Sequence, residues 1–167
     1  MTLYATILQM KKLLSNLDGW LVKAHAHAEA RKFDPNVLVQ CRLAPDMFPL
    51  SRQVQAACDA AKFAAARLAG KEAPSHTDDE KTLDDLRKRV AAVVAYLGGF
   101  KASDFDGADE RTVSLPRWEG KSMTASGYFI EHAMPNFFFH LTMTYALLRH
   151  NGIDVGKRDY LGQLTMR

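Results

Sequence analysis

At 167 residues and 18.7 kDa, with 47% hydrophobic and 25% charged residues, the chain has the size and balance of one globular domain with a sizeable core. Its net charge of +3 is spread among interspersed Lys, Arg, Asp and Glu, which excludes the one-sided basic face of a nucleic-acid binder. No uninterrupted apolar run approaches the roughly 20 residues of a membrane span, and Lys11 and Lys12 interrupt any signal-peptide core, so a cytoplasmic domain over residues 1–167 is expected.

Apolar positions first recur at Leu3, Ile7, Met10, Leu14, Leu17, Leu21, Ala24 and Ala28, in alternating steps of four and three. That spacing predicts a helix packed nearly parallel to its neighbours. "FDPN" at 33–36 ends it, because proline disfavours helical geometry in the residue before it. His25 and His27 alternate by two, point about 160° apart on a helix and cannot chelate together; they read as solvated surface residues. Cys41 and Cys58 lie too far apart for a CxxC motif and read as small, at least half-buried thiols in a reducing compartment.

The second seam is Leu50, Val54, Ala57, Ala61, Ala64 and Leu68, with Pro49 fitting its first turn and Gly70 its stop. Its many alanines suit close helix approach. The segment "GKEAPSHTD" at 70–78 has no periodicity and reads as the most mobile linker, which leaves His76 without a role. Leu83, Leu86, Val90, Val93 and Leu97 form the third seam, with Thr77 and Glu80 as its expected capping box and Gly98 and Gly99 closing it.

Acidic "SDFDGADE" lacks calcium-loop spacing and reads as a solvated loop. Alternating Thr112, Val113, Ser114 and Leu115, the turn "PRWEG" and "KSMTAS" predict a small β-hairpin near 111–125, with Trp118 at its turn. Ser51, Ser122 and Ser126 have no nucleophile signature, and no GxSxG, P-loop or dinucleotide glycine pattern appears. A fourth helix is expected from about Asn136 to His150, with Pro135 starting it, Arg149 and His150 at its negative end and Gly152 as cap. His132 is then a weak outer candidate, eight residues before His140 and separated from it by the proline. The fold expected is all-α: a four-helix bundle with a small hairpin inserted between helices three and four.

The candidate site lies in "PNFFFHLTMTYALL". At about 100° per residue His140 is central to the buried arc of the fourth helix, and Asn136 stands one turn earlier on the same face. Gln53 lies at the inner seam of the second helix, between Leu50 and Val54, and Asp46 stands at its entrance. Buried unpaired, these groups would cost several kcal/mol in total, so they are expected to form a small polar pocket, bonded to each other, a water or a ligand. His140 is read in two ways: as a satisfied core histidine bonded to Gln53, Asp46 or Thr144, or as part of a ligand or metal pocket. Apolar excess at Phe138, Phe139 and Tyr145 and on the alanine-rich second helix leads to the expectation of a homodimer that buries it.

"RLAPDMFPLSRQVQAACDAAK", "RLAG" and "PNFFFHLTMTYALLRHNGIDVGKRDYLG" together resemble an uncharacterised bacterial family of the DinB-like (DinB/YfiT) superfamily, over nearly the whole chain. The resemblance implies a DinB-like four-helix bundle and a homodimer. It also implies a divalent metal, zinc or nickel, held by three histidines, one from the second helix and two from an HxxxH pair on the fourth. Such a metal activates a low-molecular-weight thiol for transfer or a water for hydrolysis. The match places Asn136 on the first histidine of that pair and His140 on the second, with Gln53 or Asp46 near the third. Amide oxygens are weak ligands for zinc or nickel, so the expectation at His140 is a weak metal with water completing its shell, or an ordered water instead. Two functions follow. One is a bundle of unknown function whose degenerate metal pocket binds a small molecule or serves a non-catalytic role; the other is a divergent metal-dependent transferase or hydrolase. No catalytic residue can be named.

Overall fold

The computed structural model describes residues 2–166. Helix α1 (Leu3–Arg31) starts at Thr2, whose hydroxyl accepts the Ala5 N–H, and buries the expected seam from Ile7 to Ala28. It stops at Lys32, in the left-handed region, whose N–H returns to the carbonyls of Ala28 and Glu29. A 3₁₀ turn (Pro35–Gln40) leads to helix α2 (Leu50–Ala69), which Gly70 ends at φ +64°. This helix is the axis of the bundle. Its alanines let α3 (Leu83–Gly98) and α5 (Met134–His150) pack against it, and 15 of its 20 residues are buried, so it exposes only a thin stripe. Helix α1 closes the bundle against α3.

The capping box of α3 is Thr82 with Asp85, not Thr77 with Glu80. Glu80 is needed elsewhere. Between α2 and α3 the guanidinium of Arg89, 3% exposed, donates to Asp59 (2.7 Å), Asp78 (2.9 Å) and Glu80 (3.0 Å). Lys62, 2% exposed, pairs with Asp59 at 2.8 Å and donates to His76 at 2.9 Å. The linker has no regular structure, yet these buried cations fasten His76, Asp78 and Glu80 across the bundle. The reason is electrostatic: two cations out of water demand carboxylates, and the linker supplies them.

Strands β1 (Thr112–Ser114) and β2 (Ser122–Thr124) pair antiparallel, Thr112 opposite Thr124, as the hairpin expected near 111–125. The chain then enters helix ten residues earlier than Pro135 suggests. One turn, α4 (Ala125–Gly127), runs into a π-helical stretch (Tyr128–Ala133) and on into α5, with helical dihedrals at Gly127, Ala133 and Met134. Proline breaks an ordinary helix interior because it lacks the N–H and its ring meets the carbonyl four residues back. Here the turn before it is already widened: the Met134 N–H donates to Phe129 O, five residues back. The wider register carries Pro135 inside a continuous helix.

A terminal turn, α6 (Lys157–Leu161), folds back on α1, which the hydrophobic seams do not reveal. The Trp20 indole N–H donates to Asp159 O (3.2 Å), Asn16 to Tyr160 O (3.0 Å), and Trp20 stacks on Tyr160 with centroids 5.5 Å apart. Among the described residues no helix is long and apolar enough to cross a membrane.

Candidate functional site

Near the start of α2, Gln53 is 2% exposed and faces His140 of α5. Its amide nitrogen donates to Phe48 O (3.4 Å), which orients its Oε1 toward His140 Nδ1 at 2.8 Å. The imidazole therefore carries its proton on Nδ1 and donates it to Gln53, leaving Nε2 as an acceptor. The Phe48 ring stacks on the imidazole at 6.3 Å with 14° between planes, and Phe139 meets it edge-on at 5.2 Å. Burial, and then the nearby Arg52 charge, hold the His140 pKa below its ordinary value of 6.5, so the ring is neutral near pH 7. Thr144 does not bond the ring; its hydroxyl donates to the His140 carbonyl at 2.9 Å.

The structure does not bring Asp46 to this pair. It lies exposed in the turn before α2 and forms no hydrogen bond with either residue. Asn136 is half-buried and lines a neighbouring cavity instead. Among the described residues no three His, Cys, Asp or Glu side chains are grouped to hold a metal ion. His25 sits 3.3 Å from Asp84, and His27 packs edge-on against Phe33. Cys58 is buried and its thiol is pushed up to about 12 by that burial; Cys41 is half-buried and also raised by burial. Neither is a thiolate near neutral pH, so neither is a nucleophile.

The cavity beside Asn136 encloses about 200 Å³. The thin stripe of α2 that the bundle leaves uncovered, Arg52, Ala56, Asp59, Phe63 and Arg67, forms one wall together with buried Ala60; the hairpin turn gives Leu115 and Arg117, and the π-helical stretch with the start of α5 gives Tyr128, His132, Ala133 and Asn136. Sequence reasoning sets His132 aside because Pro135 stands between it and His140. The helix continues through that proline, so Tyr128, His132 and Asn136, spaced by four, line one wall. Arg67 donates to the Tyr128 hydroxyl (2.8 Å) and lies over the rings of Phe63 (4.6 Å) and Tyr128 (5.5 Å). The His132 ring stacks on Tyr128 (5.5 Å), meets Trp118 edge-on (5.7 Å), and bonds the Arg117 guanidinium. Trp118 thus packs onto the cavity wall.

A family model described as "Domain of unknown function (DUF1993)" matches residues 3–161. The chain belongs to the DUF1993 family. It is also similar to a solved structure, the crystal structure of a DinB family member protein from Shewanella denitrificans at 1.83 Å resolution. The two superpose with a TM-score of 0.93 at 50% sequence identity, over 96% of this chain and 92% of that one. No curated protein matches the chain. This DUF1993 chain is therefore a DinB-family bundle, in agreement with the four seams and the inserted hairpin.

Proposed function

We propose that this DUF1993 protein is a small-molecule-binding, non-catalytic DinB-family bundle in which the metal position of the wider superfamily has become a structural hydrogen bond. The observation that carries the reading is the 2.8 Å contact from His140 Nδ1 to Gln53 Oε1. The donor set at that position is one imidazole and one amide, Gln53, with Asn136 turned to the neighbouring cavity, and it does not fit zinc or nickel, which favour imidazole, thiolate and carboxylate. His140 keeps one free nitrogen, enough for a weak, water-completed ion but not for a closed site. Metal analysis of the purified protein, followed by zinc and nickel titration, tests this. The expected result is far less than one equivalent after dialysis against chelator. One equivalent that survives dialysis and disappears in His140→Ala would overturn it and establish the metal-dependent transferase or hydrolase instead.

We further propose a homodimer in the cytoplasm. Tyr145 does not supply the contact surface, because it packs edge-on against Trp20 and Tyr160, and the alanines of α2 are spent inside the bundle. Support comes from Ile130, Phe138 and Phe139, which are 61%, 36% and 52% exposed on one helix. Light scattering at micromolar concentration is expected to give twice the chain mass, and a monomer defeats the dimer. Two free cysteines suit a reducing compartment.

A further inference from the structure

The cavity between α2, the hairpin turn and the π-helical stretch has a charge problem of its own. Two of its four charged side chains are compensated. Arg52 pairs with Asp78 at 2.6 Å, and Asp59 is held by Arg89 and Lys62. The other two are not. Among the described residues, Arg67 has only the Tyr128 hydroxyl and Arg117 only the His132 ring as side-chain partners. A half-buried guanidinium sandwiched between Phe63 and Tyr128, with no carboxylate, lacks the partner a desolvated charge requires.

The neutral groups in the wall are also set as donors. A guanidinium can only donate, so His132 Nε2 must accept from Arg117, and the proton of the neutral ring sits on Nδ1. That Nδ1 is buried and has no hydrogen-bond partner. Burial, together with the charges of Arg117 and Arg67, keeps the ring neutral by lowering its pKa. The Tyr128 oxygen accepts from Arg67, which leaves its own O–H to donate. Two cations without a carboxylate, Arg67 from α2 and Arg117 from the hairpin turn, thus line a cavity with no free anionic acceptor. Beside them stand Ala56, Ala60, Phe63 and Leu115, which are apolar.

From this juxtaposition we infer that the cavity binds a small organic anion, its oxyanion head held by Arg67 and Arg117, with His132 holding Arg117 in place, and its short apolar body lying against Ala56, Ala60 and Leu115. Size limits the body. The cavity is smaller than the roughly 300 Å³ at which drug-sized pockets begin, so it accommodates a head group and a few carbons. An oxyanion supplies the negative charge that the two guanidinium groups lack, as no neutral ligand does, and guanidinium forks match carboxylate and phosphate geometry alike. The proposal rests on the small-molecule reading above and names its ligand class.

Calorimetric titration of the full chain with butyrate and, separately, inorganic phosphate at low ionic strength tests it, with butyramide as the neutral control. Saturable binding of at least one anion, in the millimolar range or tighter, is expected, with none for butyramide. Butyrate alone points to a carboxylate ligand and phosphate alone to a phosphoryl one. Arg117→Gln, on an exposed hairpin turn and outside the bundle core, should keep the fold by circular dichroism and weaken binding by about tenfold or more, since a charge-assisted bond is worth about 1.5–3 kcal/mol. His140→Asn should leave anion affinity unchanged, because His140 is outside the cavity wall. The inference falls if neither anion binds, or if Arg117→Gln and Arg67→Met bind as tightly as the native chain. These results separate from the metal test. Metal-free protein that binds no anion sinks this inference alone, whereas stoichiometric zinc beside Arg117-dependent anion binding sinks the reading of His140–Gln53 as a structural hydrogen bond and leaves this one standing.

Discussion

Replacing Gln53 by leucine is the most direct perturbation of the His140 contact. Leucine nearly conserves the volume, so the change isolates hydrogen bonding from cavity formation. Two bonds are lost: the 2.8 Å bond from His140 and the 3.4 Å bond to Phe48 O. The second is long and contributes little. The first leaves the His140 Nδ1–H facing a methyl group, and an unsatisfied buried donor costs about 1–3 kcal/mol. His140 is only half-buried, so water recovers part of that, which places the expected loss at about 1.5 kcal/mol. For a chain of this length that lowers Tm by about 3–6 °C. Urea denaturation of Gln53→Leu, His140→Leu and the double variant supplies the assay. Removing both partners together should cost less than the sum of the singles by about 1 kcal/mol, because no orphan remains. A coupling near zero, or a loss below about 0.5 kcal/mol for Gln53→Leu, would refute the claim that this bond organises the site.

Arg89→Met should be the most damaging single change tested, at about 3 kcal/mol or more in urea, because it removes the buried cation that Asp59, Asp78 and Glu80 share and leaves them only Lys62, Arg52 and Gln55; a loss under about 1 kcal/mol contradicts this. Acid should destabilise the fold below neutrality. His76, His132 and His140 have pKa values lowered by burial, first of all, and by neighbouring cations, so the unfolded chain binds more protons. Their contribution is complete above the ordinary 6.5 and is lost as pH falls through that value toward the folded ones; stability that is flat between about pH 7.5 and 5.5 contradicts the assignment. His140→Gln should make that slope shallower. Gly70→Ala should cost about 1–2 kcal/mol, since the backbone there is at φ +64° and a Cβ would stand 3.2 Å from Arg111 Nε, whose guanidinium is held by Leu68 O; an unchanged Tm would count against it.

The bundle was legible because its helices repeat apolar residues in steps of three and four, and because Gly70 and Gly152 stand where left-handed caps occur. His140 beside Gln53 followed from the same geometry, one residue from each of two facing seams. Asp46 did not, because no periodicity constrains a turn, and its carboxylate stays in water. The capping box was misplaced for a related reason. Thr77 and Glu80 have the right spacing, but so do Thr82 and Asp85, and the buried charge of Arg89 decides between them by claiming Glu80. Charges acting across helices leave no periodic trace. They must be read from the packed structure.

The cavity was hidden by one residue. Pro135 is read as a helix start by every local rule, and on that reading His132 and Tyr128 belong to a loop. The π-helical stretch before it changes the result twice over. Its i→i−5 bonding allows helix on both sides of the proline, which carries Tyr128 and His132 into the wall that Asn136 continues. It also costs energy, since π-helical turns are rarer and less well packed than α-helical ones, and such stretches occur frequently at functional sites. A helix used only to cover the bundle would gain from regular geometry here. The irregular turn instead sets a tyrosine, a histidine and an asparagine in one cavity with Arg67 of the α2 stripe and Arg117 of the hairpin turn, neither of which has a carboxylate partner. The guanidinium groups without carboxylate partners, Arg67 and Arg117, thus lie on this flank and not on the bundle axis at His140.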